Sequence, residues 1–298
     1  MCLFSSVKKC FHFSSTFFLI LSLLPVSCSG STPKKKNHVS SQPPAVRGKS
    51  PLDEATVSPI PSPQRDTLKG TSTAKGKTLP YTFIRLDQGV PSEKYTLIVF
   101  LHGAGERGID NTSQLGVGLP NLVASLEKQG QRNLLIFAPQ CPPNERWVDT
   151  DWSALAHTMK KEAHWPLEIA LSVIDSLLGK DETMDVKRKY ITGLSMGGYG
   201  VWDMIQRRPQ FFSAALPICG GGDKSLSPTL THLPIWMFHG TNDKVVPVSR
   251  TKDMFSSIKN SIGSSPLKAK MTLIENKGHL IWNQVYDSPE VISWMLNQ

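Results

Sequence analysis

From Leu79 to the C-terminus, short apolar runs alternate with helix-like segments, and this alternation constrains the fold more than any single motif. The strand candidates are Tyr81–Leu86, Tyr95–Leu101, Asn133–Ala138, Lys189–Thr192, Ala214–Ile218, Ile235–His239 and Lys268–Ile274. Between them fall helix candidates at Leu115–Gln129, Pro166–Leu178, Gly197–Arg208, Ser249–Ser261 and Pro289–Leu296. Strands alternating with helices predict an α/β fold whose mostly parallel sheet is covered on both faces. The run Leu97-Ile98-Val99-Phe100-Leu101 is apolar on both sides, as a central strand requires and an edge strand does not.

Two glycine-containing turns carry the chemistry. Gly193-Leu194-Ser195-Met196-Gly197 fits G-x-S-x-G, with a strand candidate before it and a helix candidate after it. A serine on such a tight strand-to-helix turn sits in a strained conformation, and the helix N-terminus aims N–H groups at a developing oxyanion. The second turn, His102-Gly103-Ala104-Gly105-Glu106, follows the most apolar strand, where ligands approach an open α/β sheet. The expected oxyanion donors are the N–H groups of Ala104 and Met196.

Asp243 ends the segment His239-Gly240-Thr241-Asn242-Asp243, and His279 follows the last strand candidate. The order Ser195, Asp243, His279 is that of a nucleophile, acid and base brought to one sheet edge by successive loops. Ser195 is a weak nucleophile alone; His279 would take its proton, and Asp243 would hold the imidazole tautomer. Asp223 is the competing acid. His102 precedes the serine, the wrong order for the base, and reads as structural. His239 reads as a packed or turn histidine. Glu106 and Arg107 either contact substrate or pair with each other and with nearby loops. Trp147 and Trp152 either form an aromatic rim for a sugar or aromatic acyl group or close the edge of the core. Trp282 is expected to pack beneath the histidine loop.

Taken together, these segments resemble the esterase-like "predicted peptidase" branch of the α/β-hydrolase superfamily, near polyhydroxybutyrate depolymerase-like and feruloyl-esterase-like enzymes. The matching pieces are residues 100–108 with Asp110-Asn111, 138–142 before Trp147, 193–198, 238–243, and 278–282 with Tyr286 following. The resemblance covers the body, residues 79–298, and implies an α/β-hydrolase fold of about eight strands with a small lid or none. It implies a serine esterase that needs no metal or organic cofactor and acts on a small-molecule or polysaccharide-linked ester. The alternatives are a serine peptidase, which would usually bring a propeller or large cap, and a non-catalytic surface binding module.

The remainder is a different kind of sequence. Lys8 and Lys9 precede an apolar stretch from Phe11 to Val26, the pattern of an export signal over residues 1–28. Val26-Ser27-Cys28-Ser29 resembles a lipobox that would lipidate Cys28, although Pro25 departs from it; plain cleavage and an uncleaved anchor are the alternatives. The protein is therefore expected to be exported: periplasmic, tethered to a membrane as a lipoprotein, or secreted. Residues 29–78, rich in Ser, Pro, Thr and Lys, read as an extended tether. The net charge of +9 gives no nucleic-acid signal, because residues 1–78 hold 11 Lys/Arg against 3 Asp/Glu while the body is close to neutral. In the strand order that the resemblance implies, the strands of Cys141 and Cys219, the two body cysteines, would lie three positions apart, about 14 Å, too far to bridge.

Overall fold

The computed structural model describes residues 64–87, 95–180 and 184–298. The chain divides into two units, Met1–Val57 and Ser58–Gln298, and all described residues lie in the second. The export signal, Cys28 and residues 29–63 of the expected tether lie outside the described residues.

The described strands form one eight-stranded sheet in the order β1-β2-β4-β3-β5-β6-β7-β8. They are β1 (Gln64–Ala74), β2 (Lys77–Asp87), β3 (Tyr95–Leu101), β4 (Leu134–Pro139), β5 (Met184–Leu194), β6 (Ala214–Ile218), β7 (Ile235–Gly240) and β8 (Ala269–Ile274). The β1–β2 hairpin and the β2–β4 pair are antiparallel, and every other neighbour is parallel. The helices are α1 (Leu119–Lys128), α2 (Trp165–Lys180), α3 (Met196–Arg207), α4 (Ser249–Ser261), α5 (Trp282–Tyr286) and α6 (Pro289–Leu296).

The expected boundary at residue 79 is corrected. Strand β1 and the start of β2 lie inside the stretch read as tether, so the sheet begins by Gln64. The tether reading failed because β1 has no buried apolar pattern: Leu68, its large apolar side chain, is 68% exposed. Its order comes from main-chain pairing with β2 from Gln64↔Asp87 to Ala74↔Lys77, which composition does not reveal. Helix α1 also starts later than expected. A separate 3₁₀ turn covers Ser113–Leu115, and α1 begins after Gly118, at φ 72°, with Pro120 in its first turn.

Period-two alternation divides the core between the two faces of the sheet. Leu97, Val99 and Leu101 of β3 pack with residues of α2, α3 and α4. Ile98 and Phe100 pack with residues of α1, α5 and α6. Two buried layers leave the strand ends as the open edge, and the loops after β3, β5, β7 and β8 meet at the C-terminal end of the parallel strands. Cys141 and Cys219 are free and buried, as the strand spacing predicts.

Candidate active site

Ser195 is the residue between β5 and α3. Its φ of 55° is a costly conformation for a non-glycine residue. It is held there by its N–H donating to Ile218 O at 2.9 Å and by Tyr199 N–H donating to its carbonyl at 3.2 Å. The flanking glycines are dictated by contact: a Cβ at Gly197 would stand 1.9 Å from Leu101 O, and one at Gly193 would stand 2.7 Å from Gly197 O. The β5–α3 turn is therefore wedged against the end of β3, which fixes the serine relative to the neighbouring loop.

Three loops complete a continuous relay. Ser195 Oγ lies 2.7 Å from His279 Nε2, and His279 Nδ1 lies 2.7 Å from Asp243 Oδ2. An ionised Asp243 accepts only, so Nδ1 carries the imidazole proton and Nε2 is free to accept from the serine hydroxyl. The Asp243 side chain is fully buried. Burial alone would raise its pKa, but hydrogen bonds from His239, His279 and the N–H groups of Val246 and Val245 outweigh it and hold the carboxyl well below the usual range. Oδ1 takes the two main-chain donors, at 2.8 and 3.0 Å. Asp223 is instead occupied outside this relay, accepting from Ser225 and Met159 N–H groups.

His239 has a larger part than the sequence suggested. It is fully buried, with Nε2 3.1 Å from Asp243 Oδ2 and 3.0 Å from Val246 O, and Nδ1 2.8 Å from Thr251 Oγ1. Two acceptors face Nε2, so that nitrogen bears the proton and gives the acid a further donor. Sequence placed His239 at a strand end; only the fold shows which way it faces.

Ala104 lines the cleft, and Met196, the first residue of α3, has no intrahelical acceptor for its N–H. They lie in the turns after β3 and β5, on either side of the cleft that holds Ser195. The 103–106 turn is braced from behind by His102. Cys141 N–H donates to His102 Nε2 at 2.9 Å, so Nδ1 is the protonated nitrogen and donates to Gly103 O at 2.6 Å. Burial above all, opposed by the Gly103 carbonyl and assisted by Arg107, lowers the His102 pKa from 6.5 to about 4. A folded pKa below the unfolded one means that the unfolded chain binds the extra proton first. The stabilising contribution of neutral His102 is thus complete above pH 6.5 and is lost as pH falls towards 4, amounting to about 3 kcal/mol. An NMR titration should find this imidazole still neutral at pH 5, with folding stability falling across that window; an imidazole titrating near 6.5 would contradict the account.

The cleft has a volume of about 280 Å³ and is lined by the 103–106 turn, Trp152, Leu194, Ser195, Val245, His279, Leu280 and Trp282. Its rim is apolar and wet: Leu280 is 79% exposed and Val245 44%. Of the expected substrate contacts, Glu106 and Trp152 reach the cleft and Trp147 does not. Trp147 is fully buried, packed edge-on against the His102 ring, with Nε1 donating to His102 O at 3.0 Å. It is a core residue, and its expectation as a substrate contact is corrected. Trp152 is held by Tyr199 Oη donating to its carbonyl at 2.8 Å and by the Arg146 guanidinium over its ring. Trp282 packs edge-on against His279 as expected, and it also lines the cleft, which sequence reasoning missed.

Cys219, Asp243 and His279 bring ligand-type atoms within 4.8 Å of one another. Burial and the Asp243 charge push the Cys219 thiol far up, so the thiolate that a cation needs is disfavoured. The other two groups already satisfy each other, and the set is suited to moving a proton.

Neither protein-family models nor curated proteins give a match to this chain. Solved structures do. A thermostable esterase shares 36% identity with a TM-score of 0.70, over 78% of this chain and 63% of that one. A ferulic acid esterase matches at 16% identity and a TM-score of 0.57, over 77% and 98% of the two chains. An S-formylglutathione hydrolase from Staphylococcus aureus matches at 15% and 0.58, over 80% and 98%. The chain thus spans a little under two thirds of the thermostable esterase. With its eight-stranded, mostly parallel sheet and helices on both faces, the chain has the α/β-hydrolase fold.

Proposed function

We propose that this protein is a serine carboxylic-ester hydrolase that works through an acyl-enzyme on Ser195. The observation that carries the reading is the unbroken chain of 2.7 Å contacts from Ser195 Oγ through His279 to a buried, fully solvated-by-protein Asp243. His279 Nε2 takes the hydroxyl proton as Oγ bonds to the ester carbonyl carbon. The carbonyl oxygen becomes an oxyanion facing the N–H groups of Ala104 and Met196. The C–O bond to the alcohol breaks, and the alkoxide leaves with the proton from His279. Water then attacks the acyl-enzyme with His279 again as base, releasing the acid and restoring Ser195.

The apolar rim and the two tryptophans suit short-acyl esters or the acetyl and feruloyl esters attached to polysaccharide, and the esterase neighbour supports the reaction class. The test is a chromogenic panel of short-acyl, long-acyl and feruloyl esters beside peptide anilides. Turnover of an ester, with anilides inert, is expected; cleavage of anilides alone would replace the reading by a peptidase. We read residues 1–28 as the export signal and Cys28 as its lipidated end, which would tether the enzyme to a membrane. Metabolic labelling with a palmitate analogue should then tag the full chain and not Cys28→Ser, and an untagged wild type would contradict lipidation.

A further inference from the structure

A turn presents N–H groups to an oxyanion only while its carbonyls point elsewhere, because the C=O and N–H of one trans peptide unit face opposite ways. In the turn after β3 the carbonyls are held one by one by side chains. His102 O accepts from Trp147 Nε1 at 3.0 Å, and Gly103 O accepts from His102 Nδ1 at 2.6 Å. Ala104 O accepts from Arg107 Nε at 2.8 Å, and Glu106 O accepts from Gln140 Nε2 at 3.3 Å. Trp147, His102 and Gln140 are fully buried, so their bonds belong to the core. Arg107 is half-buried, and its Nη1 also donates to Glu145 O at 3.3 Å, which ties the turn to the loop after β4.

The peptide unit between Ala104 and Gly105 is the one that needs a clamp. Gly105 is exposed, and a Cβ there would meet nothing within 4 Å. Glycine takes φ of either sign at little cost, so neither packing nor sterics opposes rotation of this unit. Rotation would turn Ala104 O into the cleft and the Gly105 N–H away from it. A carbonyl dipole facing the oxyanion would then oppose the charge that neighbouring donors stabilise. Gly103, Ala104, Gly105 and Glu106 line the cleft and Arg107 does not, so the bond to Arg107 draws Ala104 O away from the reacting centre.

We propose that Arg107 is a positioning residue for ester hydrolysis, whose guanidinium holds the Ala104 carbonyl outside the cleft and so keeps the oxyanion turn in its donating orientation. This role rests on the ester-hydrolase reading above. Arg107 acts through the turn rather than on the substrate, so its loss is felt where charge develops: kcat and kcat/KM fall together while KM stays.

The test uses the full chain, 4-nitrophenyl acetate, and a trifluoromethyl ketone whose adduct with Ser195 places an oxyanion in the cleft. Arg107→Met and Arg107→Leu remove the donor with two different packings, and thermal unfolding checks each fold. Each should lower kcat by at least about 10-fold, part of the loss that follows deletion of a whole oxyanion donor. KM should stay unchanged, and affinity for the ketone should fall by the same factor as kcat. Arg107→Lys, whose ammonium can reach one carbonyl, should recover part of kcat. Wild-type kcat in the Met and Leu variants overturns the proposal. So does a raised KM with unchanged ketone affinity, the signature of a substrate contact, and so does a Lys variant no faster than the Met one. A wild type that hydrolyses no ester sinks the ester-hydrolase reading itself, whereas an active wild type matched by its variants removes only the role of Arg107.

Discussion

Ser195→Ala should lower kcat for an ester by about 10⁴-fold or more while leaving the fold intact. The hydroxyl is the only atom removed, and Oγ makes its contact with His279 rather than with the core. The turn is held by main-chain bonds to Ile218 and Tyr199, which alanine keeps. Residual turnover would come from the oxyanion donors and binding alone, since the members of such a relay act as a unit. Alanine adopts the same φ of 55° at a similar cost, so thermal stability should stay close to that of the wild type while the kinetic loss is large. A variant that retains a tenth of wild-type kcat would remove Ser195 from the chemistry.

Asp243→Asn tests the other end of the relay and should cost on the order of 10³–10⁴-fold in kcat. The amide cannot accept from all four donors that surround the carboxylate. If its NH₂ faces His279 Nδ1, the imidazole turns to the tautomer whose Nε2 bears a proton and cannot take one from Ser195. Stability should fall too, because a buried donor is left facing donors. The wild-type carboxyl titrates below its unfolded value of about 3.9. Its stabilising contribution is therefore complete above that pH and is lost as pH falls further. Asp243 therefore stays ionised at neutral and mildly acidic pH. Full activity in Asp243→Asn would point to another acid.

The sequence-level reading succeeded where local chemistry and chain order carry information. Ser195 is flanked by a strand, two glycines with no room for a Cβ, and a helix, and each feature is local. Asp243 and His279 were legible because each follows a recognisable strand by a few residues. What escaped depends on direction or on main-chain pairing. Trp147 and Trp152 share one loop five residues apart, yet the first turns into the core and the second into the cleft. Strand β1 is polar and exposed, and register alone makes it a strand. His239 alternates along β7 with residues of both core layers, and nothing in its neighbours reveals that it meets the acid. Glu106 and Arg107 were seen as contacting substrate or pairing with each other or with nearby loops, and Arg107 bonds the main-chain carbonyls of Ala104 and Glu145.

The most direct measurement is labelling of the full chain with a fluorophosphonate, followed by mass spectrometry of its peptides. A nucleophile activated as described should carry a single phosphonyl adduct on Ser195, absent from Ser195→Ala and strongly reduced in Asp243→Asn. An unlabelled but folded protein, or an adduct on a different serine, would contradict the assignment on which the reaction rests.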